Sequence, residues 1–293
     1  MSSWSKVDLH LHSTASDGTL SPAELVALAV QRGLRVIALT DHDSTEGVDA
    51  ALQAARASGG ALEVVPGVEL NTDVPAGEAH VLGYLLDHHD QALQEELAQR
   101  RASRLERGRA MVEKLARLGL PVSWQRVLEL AGSGRPGMEG AVGRPHVAQA
   151  MVEQGYVATV QEAFEKYLGR HGPAYVERDR LTPAEAVAAI TRAGGLPVLA
   201  HPPSWPEYER HLPALIEAGL VGLECYYGVL PPETVGALVA TARAFGLVAT
   251  GGSDFHGPNV LPGVAADLGG VPVPLEAVQA LKELKARRRA GIS

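Results

Sequence analysis

Residues 7–18, with the sequence VDLHLHSTASDG, contain the pattern that decides the fold. The apolar alternation up to His12 is typical of a short strand, and the following STASDG is rich in turn-forming residues. His10 and His12 are two positions apart, so in a strand their side chains point to the same face. Two imidazoles can then approach one metal ion from one side. Alone, such a pair is weak evidence, and its weight depends on the rest of the chain.

The strand–loop–helix unit repeats along much of the chain. Ser21 is a candidate N-cap, Pro22 the first helical residue and Glu24 the residue that completes a capping box. Further strands are predicted at 36–40, 62–65, 80–86, 196–201, 220–225 and 247–254, and further helices at 48–57, 183–193, 206–218 and 232–245. Alternating strands and helices favour a mostly parallel sheet that closes as a barrel.

The middle of the chain breaks this alternation because it contains no convincing strand. A long, charged, amphipathic helix begins at Gln91, and three shorter helical patterns follow it. We therefore expect an α/β barrel domain formed by residues 1–90 and 175–293. We expect residues 91–174 to form a helical insert subdomain within it.

Composition excludes several classes of protein. The 293-residue chain has one cysteine, no apolar signal segment and no apolar run of the roughly 18 residues that a membrane span needs, which predicts a cytoplasmic protein without disulfides. The net charge of −8 and an aromatic content of 4% argue against a basic face or a long nucleic-acid track. A small anionic substrate remains compatible with this charge if bound metal ions supply positive charge.

Five predicted strands are followed by histidines or carboxylates. Because the carboxyl ends of barrel strands converge, we expect these side chains to meet at one edge of the barrel. Without metal they would repel one another or need many buried partners, so a multinuclear site for Mn, Fe or Zn is the preferred interpretation. The side chains are those of His10, His12, Asp41, His42, Asp43, Glu69, His201, Asp254 and His256.

Six segments in chain order, VDLHLHSTASDG, ALTDHD, VPGVEL, AHVLGY, LAHP and GGSDFHG, resemble the motifs of the PHP (polymerase and histidinol phosphatase) domain. This resemblance implies a distorted (β/α)7 TIM-like barrel that binds two or three divalent metal ions. The central segments GRPHVAQAMVEQG and FEKYLGRHGPAYV are similar to the insert of bacterial PHP phosphoesterases. Members of that branch act on nucleoside 3′,5′-bisphosphates and on the 5′ ends of short RNA.

The resemblance also implies which residues bind metal. The first metal would take His10, His12, Glu69 and Asp254, the second would share Glu69 and take His80 and His201, and the third would take Asp17, His42 and His256. Asp17 is the weakest assignment, since some relatives have a histidine near that position. His80 is predicted to open its strand instead of ending it. Either that strand runs in the opposite sense or its predicted register is wrong.

The expected chemistry is hydrolysis by a metal-activated hydroxide, which requires no protein nucleophile. His201 or His256 could protonate the leaving alkoxide if it is not fully occupied as a ligand. Asp41 and Asp43 are expected to orient metal ligands. The alternative for Asp43 is a direct function as ligand or as acid–base group.

Arg144, His146 and Lys166 match insert positions that contact a substrate phosphate in the resembling branch. The leading hypothesis is therefore a phosphoesterase for small nucleotides of the 3′,5′-bisphosphate type and for 5′ ends of short RNA. The alternatives are a histidinol-phosphate-type phosphatase, a C–N hydrolase and a non-catalytic metal-binding module. The insert counts against the first, the lack of a lysine at a predicted strand end against the second, and the complete motifs against the third.

Overall fold

The computed structural model describes residues 5–75, 77–131, 142–177, 181–228, 230–258 and 266–291. Its contacts divide the chain into two compact units. The first comprises residues 1–94 and 180–293, and the second comprises residues 95–179. We call the first the barrel unit and the second the helical unit.

The barrel unit contains a sheet of seven strands whose spatial order follows the chain. The strands are β1 (Val7–Asp8), β2 (Val36–Leu39), β3 (Glu63–Val74), β4 (Gly77–Tyr84), β5 (Leu196–Leu199), β6 (Gly222–Tyr227) and β7 (Val248–Gly252). Neighbouring strands are parallel except that β4 runs antiparallel to both β3 and β5. The sheet thus has the mostly parallel order that the sequence predicts.

The two edges of the sheet approach each other and nearly close the barrel. The Leu9 N–H donates to the Gly251 carbonyl at 3.2 Å, and the Asp254 N–H donates to the His10 carbonyl at 3.0 Å. Gly252 permits this approach, because a Cβ at that position would lie 2.4 Å from the backbone nitrogen of His10. The result is the distorted barrel of seven strands that the sequence analysis predicts.

Ten α-helices lie in the described residues. They are α1 (Pro22–Gln31), α2 (Val48–Ala57), α3 (Gln91–Arg117), α4 (Trp124–Leu130), α5 (Arg144–Glu153), α6 (Val160–Ala163), α7 (Pro183–Arg192), α8 (Leu212–Ala218), α9 (Pro232–Ala244) and α10 (Leu275–Arg289). The capping box predicted for α1 is present, because the Ser21 hydroxyl accepts from the Glu24 N–H and the Glu24 carboxylate accepts from the Ser21 N–H. No helix in these ranges combines the length and apolar character that a membrane span requires.

Two apolar clusters form the core of the barrel unit. Residues of β2 alternate between them, as the period of two in a strand dictates. Val36 and Ala38 join a cluster that includes Val278 and Leu281 of α10, which we call the α10 cluster. Ile37 and Leu39 join the cluster formed with α1 and α2. The helical unit has its own core, which includes Met111, Leu115, Val147 and Met151.

Several predicted element boundaries differ from the structure. The strand predicted up to His12 ends at Asp8, so His10 and His12 lie in the loop that follows β1. β3 extends beyond the predicted strand 62–65 to Val74, because residues 67–74 pair with the antiparallel β4. β6 is displaced toward Tyr227 relative to the predicted strand 220–225. The helix predicted over 206–218 begins at Leu212, because Glu207 has a left-handed φ of 62° and Pro213 favours a helix start.

Candidate metal centre

The loop after β1 places two buried imidazoles side by side. The rings of His10 and His12 are fully buried, and their centroids are 5.1 Å apart. His10 Nε2 lies 3.2 Å from Glu69 Oε2 and 3.3 Å from Asp254 Oδ1. His12 Nε2 lies 3.3 Å and 3.1 Å from the same two oxygens. The four side chains assigned to the first metal therefore converge on a small volume.

Glu69 is the central residue of the cluster, and it lies within β3. Its Oε2 is 3.0 Å from His42 Nδ1, in addition to the two imidazoles of the first group. Its Oε1 is 2.9 Å from His80 Nδ1 and 3.1 Å from His201 Nε2. His80 lies within β4, whose antiparallel direction carries it to Glu69. This orientation is the first of the two possibilities that the sequence left open.

The third group forms around Asp17. Asp17 Oδ1 lies 3.3 Å from His256 Nε2 and 3.6 Å from His12 Nδ1, and Asp17 Oδ2 lies 3.7 Å from His42 Nε2. The rings of His12 and His256 are stacked with centroids 4.0 Å apart. The structure thus brings together all nine side chains predicted as metal ligands, which we call the metal-ligand cluster: His10, His12, Asp17, His42, Glu69, His80, His201, Asp254 and His256.

The cluster has the donor chemistry of a divalent metal site. Among the described residues, His10 Nε2, both ring nitrogens of His12, His42 Nδ1 and Glu69 Oε2 are buried without a hydrogen-bond partner. Buried polar atoms are seldom left in this state unless an ion or another ligand satisfies them. Three sets of potential ligand atoms, each within 4.8 Å of one another, occur here: His10, His12, Glu69 and Asp254; His42, Glu69 and His80; and His12, Asp17, His42 and His256. Imidazole nitrogens and carboxylate oxygens fit Zn, Mn or Fe.

The electrostatics keep the carboxylates of the cluster ionised. Burial alone would raise the pKa of Glu69, but His42, His10 and His80 outweigh it and hold that pKa well below its usual range. Burial would likewise raise the pKa of Asp254, and His10 and His12 lower it instead. Burial lowers the pKa of His10, yet Glu224, Asp254 and Glu69 together raise it well above its ordinary value. Each group thus stabilises the charge of the others.

Asp41 and Asp43 hold backbone segments that carry side chains of the metal-ligand cluster. Asp41 Oδ1 accepts from the Ser13 N–H and the Ser16 hydroxyl, both at 2.7 Å, and thereby fixes the loop that leads to Asp17. The Asp43 N–H donates to the Glu69 carbonyl at 2.9 Å, and its carboxylate accepts from the Asn71 N–H at 3.3 Å. Both contacts restrain the backbone of β3 at and next to Glu69.

Three residues of this region have a backbone conformation that non-glycine residues rarely adopt. The φ angles are 45° at Asp43, 27° at His201 and 56° at Asp254. Each such residue costs about 1–3 kcal/mol, and strain of this kind concentrates at functional sites. The surrounding hydrogen bonds and packing must therefore hold these residues in place.

Two residues in contact with the cluster were missed by the sequence analysis. Glu224 Oε1 is 2.9 Å from His10 Nδ1, and the Tyr227 hydroxyl donates to Asp254 Oδ2 at 2.9 Å. Both lie on β6, for which the sequence predicts no metal ligand. The available signal was a carboxylate within a short, otherwise apolar strand, which needs a buried partner.

The three residues predicted to contact substrate lie in the helical unit. Arg144 and His146 belong to the first turn of α5, where the Arg144 guanidinium lies 5.4 Å from the centre of the Phe164 ring. His146 Nδ1 accepts from the Gly143 N–H at 2.9 Å. Lys166 Nζ donates to Glu162 Oε1 at 2.6 Å, and its side chain is 60% exposed. Arg144 and His146 are therefore neighbours, whereas Lys166 is held by a glutamate.

The remaining histidines lie elsewhere on the barrel and helical units. His88 and His89 contact the exposed carboxylate of Asp49, with nitrogen–oxygen distances of 3.0 Å and 3.5 Å. His171 and His211 are exposed. Cys225 is buried, and burial raises the pKa of its thiol to about 12. None of these five joins the metal-ligand cluster within the described part of the chain.

Comparison with known proteins gives consistent matches. Residues 8–169 match the model of the PHP domain family. The chain is 38% identical over 255 residues to the 5′-3′ exoribonuclease Rnm of Salmonella typhimurium, an alignment that covers 86% of this chain and 85% of the relative. It is 33% identical over 257 residues to a 3′,5′-nucleoside bisphosphate phosphatase of Chromobacterium violaceum, covering 86% and 88% of the two chains.

A solved structure shows the same architecture. A Bifidobacterium adolescentis protein, to which metal-dependent phosphoesterase activity has been ascribed, superposes with a TM-score of 0.78 at 32% identity, and the match covers 94% of each chain. The distorted TIM-like barrel predicted from the sequence is thereby confirmed.

Proposed function

We propose that this chain, which belongs to the PHP domain family, hydrolyses a phosphate ester of small nucleotides of the nucleoside 3′,5′-bisphosphate type. The chain is a phosphoester hydrolase. The observation that carries the proposal is the convergence of buried imidazoles and ionised carboxylates on Glu69, which provides ligands for more than one divalent ion.

The metal-ligand cluster would hold two or three divalent ions, chosen from Mn, Fe and Zn. The proposed first set is His10, His12, Glu69 and Asp254, the second is Glu69, His80 and His201, and the third is Asp17, His42 and His256. When bound, such ions neutralise phosphoryl charge and lower the pKa of water. The acidic chain therefore accepts an anionic substrate through a local concentration of positive charge.

The leaving alkoxide needs a proton, and His201 or His256 could supply it only if it is not fully occupied as a metal ligand. His201 Nδ1 lies 2.9 Å from the Ser204 hydroxyl, and its side chain is partly exposed. His256 Nδ1 donates to the Asp254 carbonyl at 2.8 Å, which leaves Nε2 as its remaining donor or acceptor atom. We assign Asp43 the function of holding β3 beside Glu69, so that the alignment of the reacting groups depends on it.

We further propose that residues 91–174 act as an insert domain that determines specificity. Arg144 can present a planar pair of N–H donors to a second phosphate, and His146 lies one position beyond Pro145 in the same helical turn. Lys166 would contribute only if it exchanged its bond to Glu162 for one to substrate. A second phosphate on the substrate gives these residues an interaction that a simple monoester lacks.

The same chemistry extends to the 5′ ends of short RNA. The similarity to an exoribonuclease supports this second substrate class. The low aromatic content and the net charge of −8 favour short RNA over a long bound strand.

The test compares substrates with the Mn²⁺-loaded protein. We expect phosphate release from 3′,5′-bisphosphoadenosine with a higher kcat/KM than from histidinol phosphate or p-nitrophenyl phosphate, and release of nucleotides from a short 5′-phosphorylated RNA. Absence of turnover with every ester would contradict the hydrolase assignment. A preference for histidinol phosphate would retain the chemistry and overturn the proposed substrate class.

A further inference from the structure

We infer that Glu224 and Tyr227, on the barrel strand without a predicted metal ligand, are positioning residues that orient three ligands of the metal-ligand cluster. The inference rests on the proposed function because it concerns the same site. The ligands are His10, His201 and Asp254. Neither positioning residue belongs to the three proposed metal-binding sets.

Glu224 fixes the ring of His10. The carboxylate is fully buried, and its Oε1 lies 2.9 Å from His10 Nδ1. A carboxylate can only accept, so when the imidazole is neutral, as metal binding requires, its proton resides on Nδ1 and its lone pair on Nε2. Nε2 is the atom that lies 3.2 Å from Glu69 Oε2. Glu224 therefore selects the tautomer of His10 that can bind a metal ion.

The second oxygen of Glu224 holds a ligand of a different metal set. Oε2 accepts from the backbone N–H of His201 at 2.7 Å. His201 has a φ of 27°, a conformation that needs external support. One buried carboxylate thus fixes an imidazole of the first proposed set and the backbone of a residue in the second. We expect both sets to respond when Glu224 is altered.

A bulge in β6 brings Tyr227 to the same site. Glu224 pairs with Thr250 and Tyr226 pairs with Gly251, so Cys225 is an extra residue relative to β7. In a regular strand, residues 224 and 227 would point to opposite faces, and one inserted residue removes that difference. Tyr226 instead packs against the α10 cluster.

Tyr227 determines which oxygen of Asp254 is available. Its hydroxyl donates to Oδ2 at 2.9 Å. The other oxygen, Oδ1, lies 3.3 Å from His10 Nε2 and 3.1 Å from His12 Nε2. The tyrosine therefore holds the carboxylate with Oδ1 directed toward the first proposed metal set.

Glu224→Gln is a sharp test because it preserves side-chain volume. Glutamine has one oxygen, so it can accept from His10 Nδ1 or from the His201 N–H but not from both. The NH₂ group of the glutamine then faces the other of these two N–H groups, which is unfavourable. If it faces His10, the imidazole can avoid this by moving its proton from Nδ1 to Nε2, and it then loses the lone pair on Nε2. Either outcome weakens metal binding without opening a cavity.

The experiment titrates Co²⁺ alone into the full chain after chelation and records the visible absorption of the bound metal. For Glu224→Gln we expect about 10- to 100-fold weaker Co²⁺ binding and an altered spectrum, as is typical when a partner of a metal-binding histidine is lost. For Tyr227→Phe we expect a smaller loss in the same direction. Tyr226→Phe is the matched control, because it removes a hydroxyl from the adjacent residue and should leave Co²⁺ binding unchanged.

Unchanged Co²⁺ affinity and spectrum in Glu224→Gln would overturn the inference for Glu224, even if the melting temperature falls, because that combination indicates a purely structural role. If Glu224→Gln does not fold, the same measurement on Tyr227→Phe tests the inference, and unchanged Co²⁺ affinity and spectrum in that variant would overturn it. A wild-type chain that binds Co²⁺ but releases no phosphate from 3′,5′-bisphosphoadenosine would contradict the proposed function. In that case the Co²⁺ titrations of the variants would still support or overturn the positioning function of Glu224 and Tyr227.

Discussion

The metal-ligand cluster and the surface of the helical unit differ in how their charged side chains are buried and paired. In the cluster, His10, His12 and Glu69 are buried, and several of their polar atoms lack hydrogen-bond partners within the described residues. In the helical unit, Arg126 and Glu153 are exposed and bonded to each other. Exposed pairs contribute little and imply no ligand, whereas buried unsatisfied groups need one. Charge alone therefore does not indicate a site, and the combination of burial with missing partners does.

The strongest test of this contrast is Glu69→Gln. Glu69 contacts His10, His12, His42, His80 and His201, so the substitution removes the charge and one donor oxygen of a residue common to two proposed sets. We expect metal content to fall and turnover of every phosphoester to drop to background. Metal analysis of the purified protein and phosphate-release assays measure both effects.

Glu63→Gln is the matched control, since it makes the same change on the same strand. Glu63 is exposed and pairs with Lys282 at 2.6 Å. We expect full metal content and unchanged turnover. Equal losses in the two variants would mean that β3, and not the ligand at Glu69, is the sensitive feature.

Metal removal should destabilise the wild-type chain. An ion that binds only the folded state stabilises it by about 2.7 kcal/mol when present at 100 times its Kd. We expect Mn²⁺ to raise the Tm of the chelated protein by several degrees, measured by thermal unfolding. The Glu69→Gln variant should lose most of this shift, and a full shift in that variant would show that Mn²⁺ binds elsewhere.

A smaller and more selective effect is expected for Arg144→Ala. Loss of the guanidinium should raise KM for 3′,5′-bisphosphoadenosine about tenfold, equivalent to about 1.4 kcal/mol, and leave p-nitrophenyl phosphate hydrolysis nearly unchanged. Arg144→Lys should recover only part of the loss, because lysine lacks the planar pair of donors. Equal damage to both substrates would contradict a substrate contact and indicate a structural function for the Arg144–Phe164 contact.

The smallest effect is expected for Arg126→Ala, which also serves as a control for Arg144→Ala. Arg126 donates to both oxygens of Glu153 and thereby lowers the pKa of that carboxyl. Because the folded-state pKa is lowered, the stabilisation is present above the usual glutamate pKa and disappears as the pH falls through the folded-state value. We expect a slight decrease in Tm at neutral pH, a difference that shrinks as the pH falls below the usual glutamate pKa, and unchanged turnover.

Local sequence patterns sufficed to predict the barrel and most of the side chains that converge in the metal-ligand cluster. The strand–helix alternation and the residues after each strand predicted which side chains converge, since parallel strands place their carboxyl ends together. The capping box at Ser21 involves only residues of the first helical turn, and it is present as predicted. These features depend on residues close together in the chain.

The features that sequence reasoning missed depend on distant partners. The continuation of β3 to Val74 is stabilised by pairing with β4, and the late start of α8 depends on a left-handed residue at Glu207. The contacts of Glu224 and Tyr227 depend on a bulge that is defined only relative to β7. Pairing register between strands is a tertiary property, and the period of a single strand does not contain it.

The left-handed backbone at His201 and Asp254 has a consequence for directed evolution. Glycine adopts such φ angles without strain, so replacing either residue with glycine would remove a local cost of about 1–3 kcal/mol. The same replacements would delete two proposed metal ligands. A library selected only for survival at high temperature in the presence of a chelator would therefore favour proteins without these two proposed ligands, and a screen of this barrel must select for metal-dependent turnover at the same time.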